Sequence, residues 1–105
     1  MYVDQKTEGE VTTREAWRDD FLEMRDLINE RGWCQHTSRD EQGRICLMGA
    51  YHGTCDTSRF FTANFKDSTY YRLYQATDRS PISWNDTPGR TQAEVLALLE
   101  RLASE

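Results

Sequence analysis

The chain has 105 residues, 37% of them hydrophobic and 30% charged, and a formal net charge of −5 at pH 7. That length suits one domain with one modest core, large enough to fold without staples. The acidic balance disfavours nucleic acid, whose phosphates it repels, and makes a basic protein the better charged partner.

No apolar run is long enough to span a membrane, and no signal-peptide pattern is present. The cysteines number three, an odd count. Together these features point to free thiols in a reducing cytoplasm rather than to a disulfide framework.

Residues 1–11 show neither helical nor strand periodicity and read as a flexible N-terminal tail, which leaves 12–105 as a single globular domain. Thr12 and Glu15 have capping-box spacing and open a helix predicted over 13–31. Trp17, Phe21, Met24 and Ile28 fall within about 60° of one another around that helix, a narrow core-facing stripe. Gly32 ends it.

The opposite side collects Glu15, Asp19, Glu23, Asp26 and Glu30 in an arc of about 80°. Acids four residues apart repel by a few tenths of a kcal/mol per pair, so the arrangement costs helix stability. The arc reads as a docking ridge for a basic partner. A solvated face that happens to be acid-rich is the competing explanation.

Further on, Trp33–Ser38 and Ile45–Met48 flank a polar piece with Gly43 in its turn, which predicts a small β-hairpin near 33–47. A short helix follows near 48–52. The stretch from Thr54 to Asp67 reads as a loop carrying Phe60, Phe61 and Phe65. Asp67 can cap a helix over 68–77 with Tyr70, Leu73, Tyr74 and Thr77 on one face. Aromatics near Arg59, Lys66 and Arg72 could stack on bases, but in an acidic domain core filling is favoured.

Pro81 argues for an extended Ser80–Trp84 segment. Asn85 and Asp86 suit an Asx turn, and Pro88-Gly89 a second turn. Thr91 and Glu94 form a further capping box, opening a helix over 92–103 with the stripe Val95, Leu98, Leu99 and Leu102. The fold class expected is therefore α+β, mainly α: three main helices and a small hairpin in one domain. Its core should contain Trp17, Phe21, Met24, Ile28, Trp33, Leu47, Leu73, Trp84, Val95, Leu98, Leu99 and Leu102.

Three chemical readings compete with a purely structural one. Cys34, His36, Cys46, His52 and Cys55 hold every cysteine and histidine of the chain within a 22-residue window. Cys34, Cys46, His52 and Cys55 could supply the four soft ligands that zinc needs, although their spacing matches no common zinc pattern. Cys46, between Ile45 and Leu47, also suits a buried small hydrophobe. Cys34, His52 and Asn85 occur in the order used by papain-like thiol hydrolases, in a chain with little room for a cleft and oxyanion hole. Asp86 and Arg90 suggest an ion pair or carboxylate–amide site, but an ordered turn accounts for both.

Three segments carry a family resemblance: Arg31-Gly32-Trp33-Cys34-Gln35, Cys46-Leu47-Met48-Gly49-Ala50, and Trp84-Asn85-Asp86-x-Pro88-Gly89-Arg90-Thr91-x-x-Glu94-Val95. Between about Leu27 and Arg101 the chain resembles a family of small actinobacterial and bacteriophage proteins of unknown function. The chain departs from that pattern at His36, where Gly is more usual, and at Tyr51, where Leu is. The resemblance implies a context rather than a mechanism: a phage accessory protein in a bacterial host cytoplasm. The expectation is then a non-enzymatic interaction protein that binds a host protein, with the zinc domain and the thiol hydrolase as alternatives.

Overall fold

The computed structural model describes residues 13–54 and 69–105, with side chains from Trp17 onward in the first of these segments. The described residues form five helices and no strand: α1 (Thr13–Arg31), α2 (Leu47–Thr54), α3 (Thr69–Ala76), α4 (Pro81–Asn85) and α5 (Gln92–Ser104). The proposed tail, Thr12, Asp67 and the three phenylalanines lie outside the described residues.

Helix α1 is the spine, packing on α5, α2 and α3. Its stripe is buried as the spacing predicts, with Phe21, Met24 and Ile28 fully inaccessible and Trp17 6% exposed. Each such side chain stabilises the fold by about 1.5–3 kcal/mol. That outweighs the repulsion along the acidic face. Gly32 closes the helix at φ +92°, with its amide donating to Ile28 O at 2.7 Å.

Helix α5 lies against α1 through Val95, Leu98, Leu99 and Leu102, to which Ala103 is added. Its start is the expected capping box: Thr91 Oγ1 accepts from Glu94 N at 3.2 Å, and Thr91 N donates to Glu94 Oε1 at 2.9 Å. In α3, Leu73 is buried, and Thr77 just beyond the helix returns its hydroxyl to Leu73 O at 2.7 Å.

The predicted hairpin is absent. Residues 33–45 form a loop with two isolated bridges, Trp33 to Ile45 in parallel sense and Arg39 to Ile45 in antiparallel sense. The physical reason lies in local side chains that outcompete a ladder. Asp40 Oδ1 accepts from the amides of Gln42 and Arg44, and Asp40 Oδ2 from Arg44 Nε at 2.6 Å. Ser38 O is taken by Cys46 N at the entry to α2. Gly43 does occupy a turn at φ +84°, but the turn joins no paired strands.

The predicted extended Ser80–Trp84 segment is also corrected. Pro81 is the first residue of α4, and Ser80 caps it by accepting from Ser83 N at 3.2 Å. Proline at the first helical position forfeits nothing, because that amide has no intrahelical partner anyway. Trp33 and Trp84 are half-buried and border the core instead of lying within it. Ile45, Ala50 and Tyr51 belong to the core and are additions to the predicted set.

Candidate functional site

On the outer face of α1, Asp19, Glu23, Asp26 and Glu30 are all exposed. Asp26 pairs with its neighbour Arg25 at 2.9 Å, and Arg25 also reaches Glu100 on α5 at 3.7 Å. Asp19, Glu23 and Glu30 form no ion pair among the described residues. The side chain of Glu15 lies outside them. The ridge is thus an exposed line of carboxylates, three of them uncompensated.

Asp20, one position further round the helix, behaves differently. It is 5% exposed and accepts the Thr69 hydroxyl at 2.6 Å, which ties α1 to the start of α3. Sequence reasoning did not single it out. Its signal is positional: 100° beyond Asp19, it falls on the flank of the core stripe.

The most elaborate polar arrangement is built on Asn85, the last residue of α4, whose side chain turns inward and is 1% exposed. Its Oδ1 accepts from the Trp33 indole N–H at 2.6 Å and from the Leu47 amide at 3.0 Å. Its Nδ2 donates to Cys34 O at 3.2 Å and to Asp86 Oδ1 at 2.9 Å. Two N–H donors face one side and two oxygen acceptors the other, so the amide can sit only one way round. Gln35 Nε2 adds bonds to Asn85 O and Thr87 O, both at 3.0 Å. The Asx turn expected at Asn85-Asp86 is therefore replaced by a buried hub joining α4, the 33–36 segment and the first amide of α2.

Asp86 extends the hub outward. It accepts the His36 amide at 2.9 Å, and its second oxygen lies 3.9 Å from the His36 ring. Burial opposes its ionisation, but the His36 amide, the Asn85 amide and the His36 ring together hold its carboxyl below the usual value. Stability from a lowered carboxyl is present in full above the unfolded value, about pH 4, and is lost as pH falls through the folded one. Stability curves of wild type and Asp86→Asn should accordingly differ above about pH 4 and converge in stronger acid.

Arg90 does not join Asp86. Its guanidinium lies 3.8 Å over the Trp84 ring, donates to Trp84 O at 2.9 Å, and approaches Glu94 at 3.8 Å. The turn before it forms as predicted, with Arg90 N donating to Thr87 O at 3.0 Å and Gly89 at φ +86°.

His36 has φ +72°, the left-handed region in which glycine is at ease. Relief of that strain, about 1–2 kcal/mol, is offset by roughly 0.5–1 kcal/mol of glycine chain entropy. His36→Gly should leave stability within about 1 kcal/mol of wild type or raise it, whereas β-branched His36→Val should lower it by about 1–3 kcal/mol. Paired urea titrations measure both.

Cys34 and Cys46 are buried free thiols. The Cys34 thiol points at Arg44 O and Thr37 O, at 3.3 and 3.5 Å. Burial, then the nearby Asp40 and Cys46, push it above its ordinary value, the opposite of nucleophile activation. The Cys46 sulfur accepts from Gly49 N at 3.3 Å and so caps α2. His52 is exposed beside the Tyr51 ring, and the Asn85 amide serves the Cys34 carbonyl. Cys55 lies outside the described residues. Among the described residues no group of three or more His, Cys, Asp or Glu is placed to hold a metal ion.

These features define a small helical domain in which one buried amide pins a short helix to the central loop. Among the described residues, no helix is long and apolar enough to cross a membrane. The model of a family of unknown function, DUF6197, matches residues 12–105, and the chain belongs to that family. Comparison with curated proteins and with solved structures returned no match.

Proposed function

We propose that the chain is a non-enzymatic interaction protein, encoded by a bacteriophage and acting in the cytoplasm of an actinobacterial host by binding a basic host protein through the α1 ridge. The observation that carries this reading is the line of exposed carboxylates at Asp19, Glu23, Asp26 and Glu30, of which only Asp26 has an ion-pair partner among the described residues. Uncompensated charge of one sign steers an oppositely charged partner and disfavours nucleic acid. The resemblance centred on Trp84–Val95 supplies the phage and actinobacterial context. The described polar hub supports the same reading indirectly, because it leaves Asn85, Asp86 and Arg90 with structural partners.

Reversing Asp19, Glu23 and Glu30 to Lys is the direct test. The triple variant should fold with unchanged helicity, since all three sites are exposed. It should lose whatever host protein the wild type retains from host lysate, and wild-type retention should fall as salt is raised. An identical set of retained proteins, or retention indifferent to salt, refutes the ridge as the docking face.

A further inference from the structure

Two free cysteines, Cys34 and Cys46, meet where the central loop enters α2. Trp33 and Ile45 form a bridge of parallel sense, with Ile45 N donating to Gly32 O at 3.0 Å and Cys34 N to Ile45 O at 3.1 Å. In parallel register the residues that follow the bridge, Cys34 and Cys46, are neighbours with their side chains on the same side. Paired strands lie about 4.8 Å apart, inside the roughly 4.4–6.8 Å between Cα atoms that a disulfide requires. The Asn85 amide fills the next rung of that register, donating to Cys34 O at 3.2 Å and accepting from Leu47 N at 3.0 Å. The two cysteines also share a neighbour, the Thr37–Ser38 peptide. Cys34 Sγ donates to Thr37 O at 3.5 Å, and Cys46 N to Ser38 O at 3.1 Å. After burial and Asp40, Cys46 is itself a cause of the raised Cys34 thiol, so the two sulfurs act on each other electrostatically.

We propose that Cys34 and Cys46 form a reversible redox pair, closing to an intramolecular disulfide by exchange with a small-molecule disulfide. One protein thiolate attacks a sulfur of the small disulfide and releases the first small thiolate. The second protein thiolate then attacks the mixed disulfide and releases the other. One protein S–S bond forms and the small S–S bond breaks, so the protein is oxidised, the small disulfide is reduced to two thiols, and the two protein protons end on them. In the reduced fold the pair is shielded, with Cys34 8% and Cys46 7% exposed. Exchange therefore waits on opening of the 33–45 loop, which has isolated bridges and Asp40 to hold it rather than a strand ladder. Once formed, the bond closes a ring over residues 34–46 and ties the start of α2 to the segment that carries Trp33. A reversible bond of this kind suits a reducing compartment, where disulfides serve redox sensing and not permanent bracing.

The test uses the full chain as wild type and as Cys55→Ser, equilibrated in buffers of reduced and oxidised glutathione. Trypsin cuts after Arg31, Arg39 and Arg44, which places Cys34 and Cys46 on separate peptides, whereas Cys46 and Cys55 share the 45–59 peptide. Oxidised Cys55→Ser should lose two hydrogens by mass, yield the linked 32–39 and 45–59 peptides, and return to two thiols in excess reduced glutathione. Because a closed ring constrains the unfolded chain, its Tm should rise by about 5–15 °C on oxidation. Cys34→Ser combined with Cys55→Ser should show neither the linked peptides nor the rise. A pair that stays reduced until urea unfolds the chain would overturn the proposal. So would glutathione adducts or chain-to-chain links in place of the internal bond, or an internal bond that lowers Tm.

Discussion

Asn85→Ala is expected to lower the stability of the domain by about 3–5 kcal/mol, a large share of the 5–15 kcal/mol typical of a domain. The wild-type amide satisfies the Trp33 indole N–H, the Leu47 amide and the Cys34 carbonyl in a site that is 1% exposed. Alanine leaves all three without that partner, and each buried unpaired group costs about 1–3 kcal/mol. Water entering the vacated volume recovers part of the loss. Asn85→Asp separates the two halves of the amide. Its oxygens can still accept from Trp33 and Leu47, but an anion then faces the Cys34 carbonyl and the Asp86 carboxylate. That variant should be comparably unstable near neutral pH and regain stability as the new carboxyl is protonated. Urea titrations at two pH values give both numbers. Hydrogen exchange at the Trp33 indole and Leu47 amide should accelerate in Asn85→Ala, while Phe21 and Leu99 in the α1–α5 core stay protected. A loss below about 1 kcal/mol would remove Asn85 from the centre of the fold.

The contrast between Asn85 and the long helices explains what the residue pattern made legible. In α1 and α5, burial follows a 3.6-residue period, and Thr91, Gly32 and Gly89 act within their own few residues. Local rules therefore find them. Apart from its neighbour Asp86, the partners of the Asn85 side chain lie 38 to 52 residues away, and no local rule distinguishes an inward-facing Asn from a turn former. The hairpin failed for the complementary reason. A turn glycine at Gly43 and flanking apolar residues satisfy the hairpin pattern, but Asp40 and the α2 entrance consume the backbone groups a ladder would need. Pro81 is ambiguous in the sequence, because proline both biases the residue before it towards extended backbone and suits the first position of a helix, where it stands. The acidic ridge was legible because it repeats at helical spacing, whereas Asp20 is bonded to Thr69, 49 residues away, which no local pattern marks.

Gly49→Ala should destabilise the protein by about 2–3 kcal/mol, against the ordinary trend by which Ala in place of Gly in a helix gains about 1 kcal/mol. Gly49 lies in the first turn of α2, pressed on the central loop. A Cβ there would overlap Ser38 O and stand 3.2 Å from Ile45 Cβ. Neither neighbour can yield cheaply, because Ser38 O is bonded to Cys46 N and Ile45 is 4% exposed in the core. The same movement would disturb Leu47 N, and through it the Asn85 hub, so the two substitutions should be less than additive when combined. Gly53, one turn later, is the internal control. Its Cβ would meet only the Leu27 methyl groups, at 3.7 and 3.9 Å, ordinary contact distances. Gly53→Ala should therefore be neutral or stabilise by up to about 1 kcal/mol. Opposite signs within one eight-residue helix would separate loop contact from helix propensity. Stabilisation by both substitutions would show instead that the 33–45 loop stands further from α2 than a backbone-to-backbone contact.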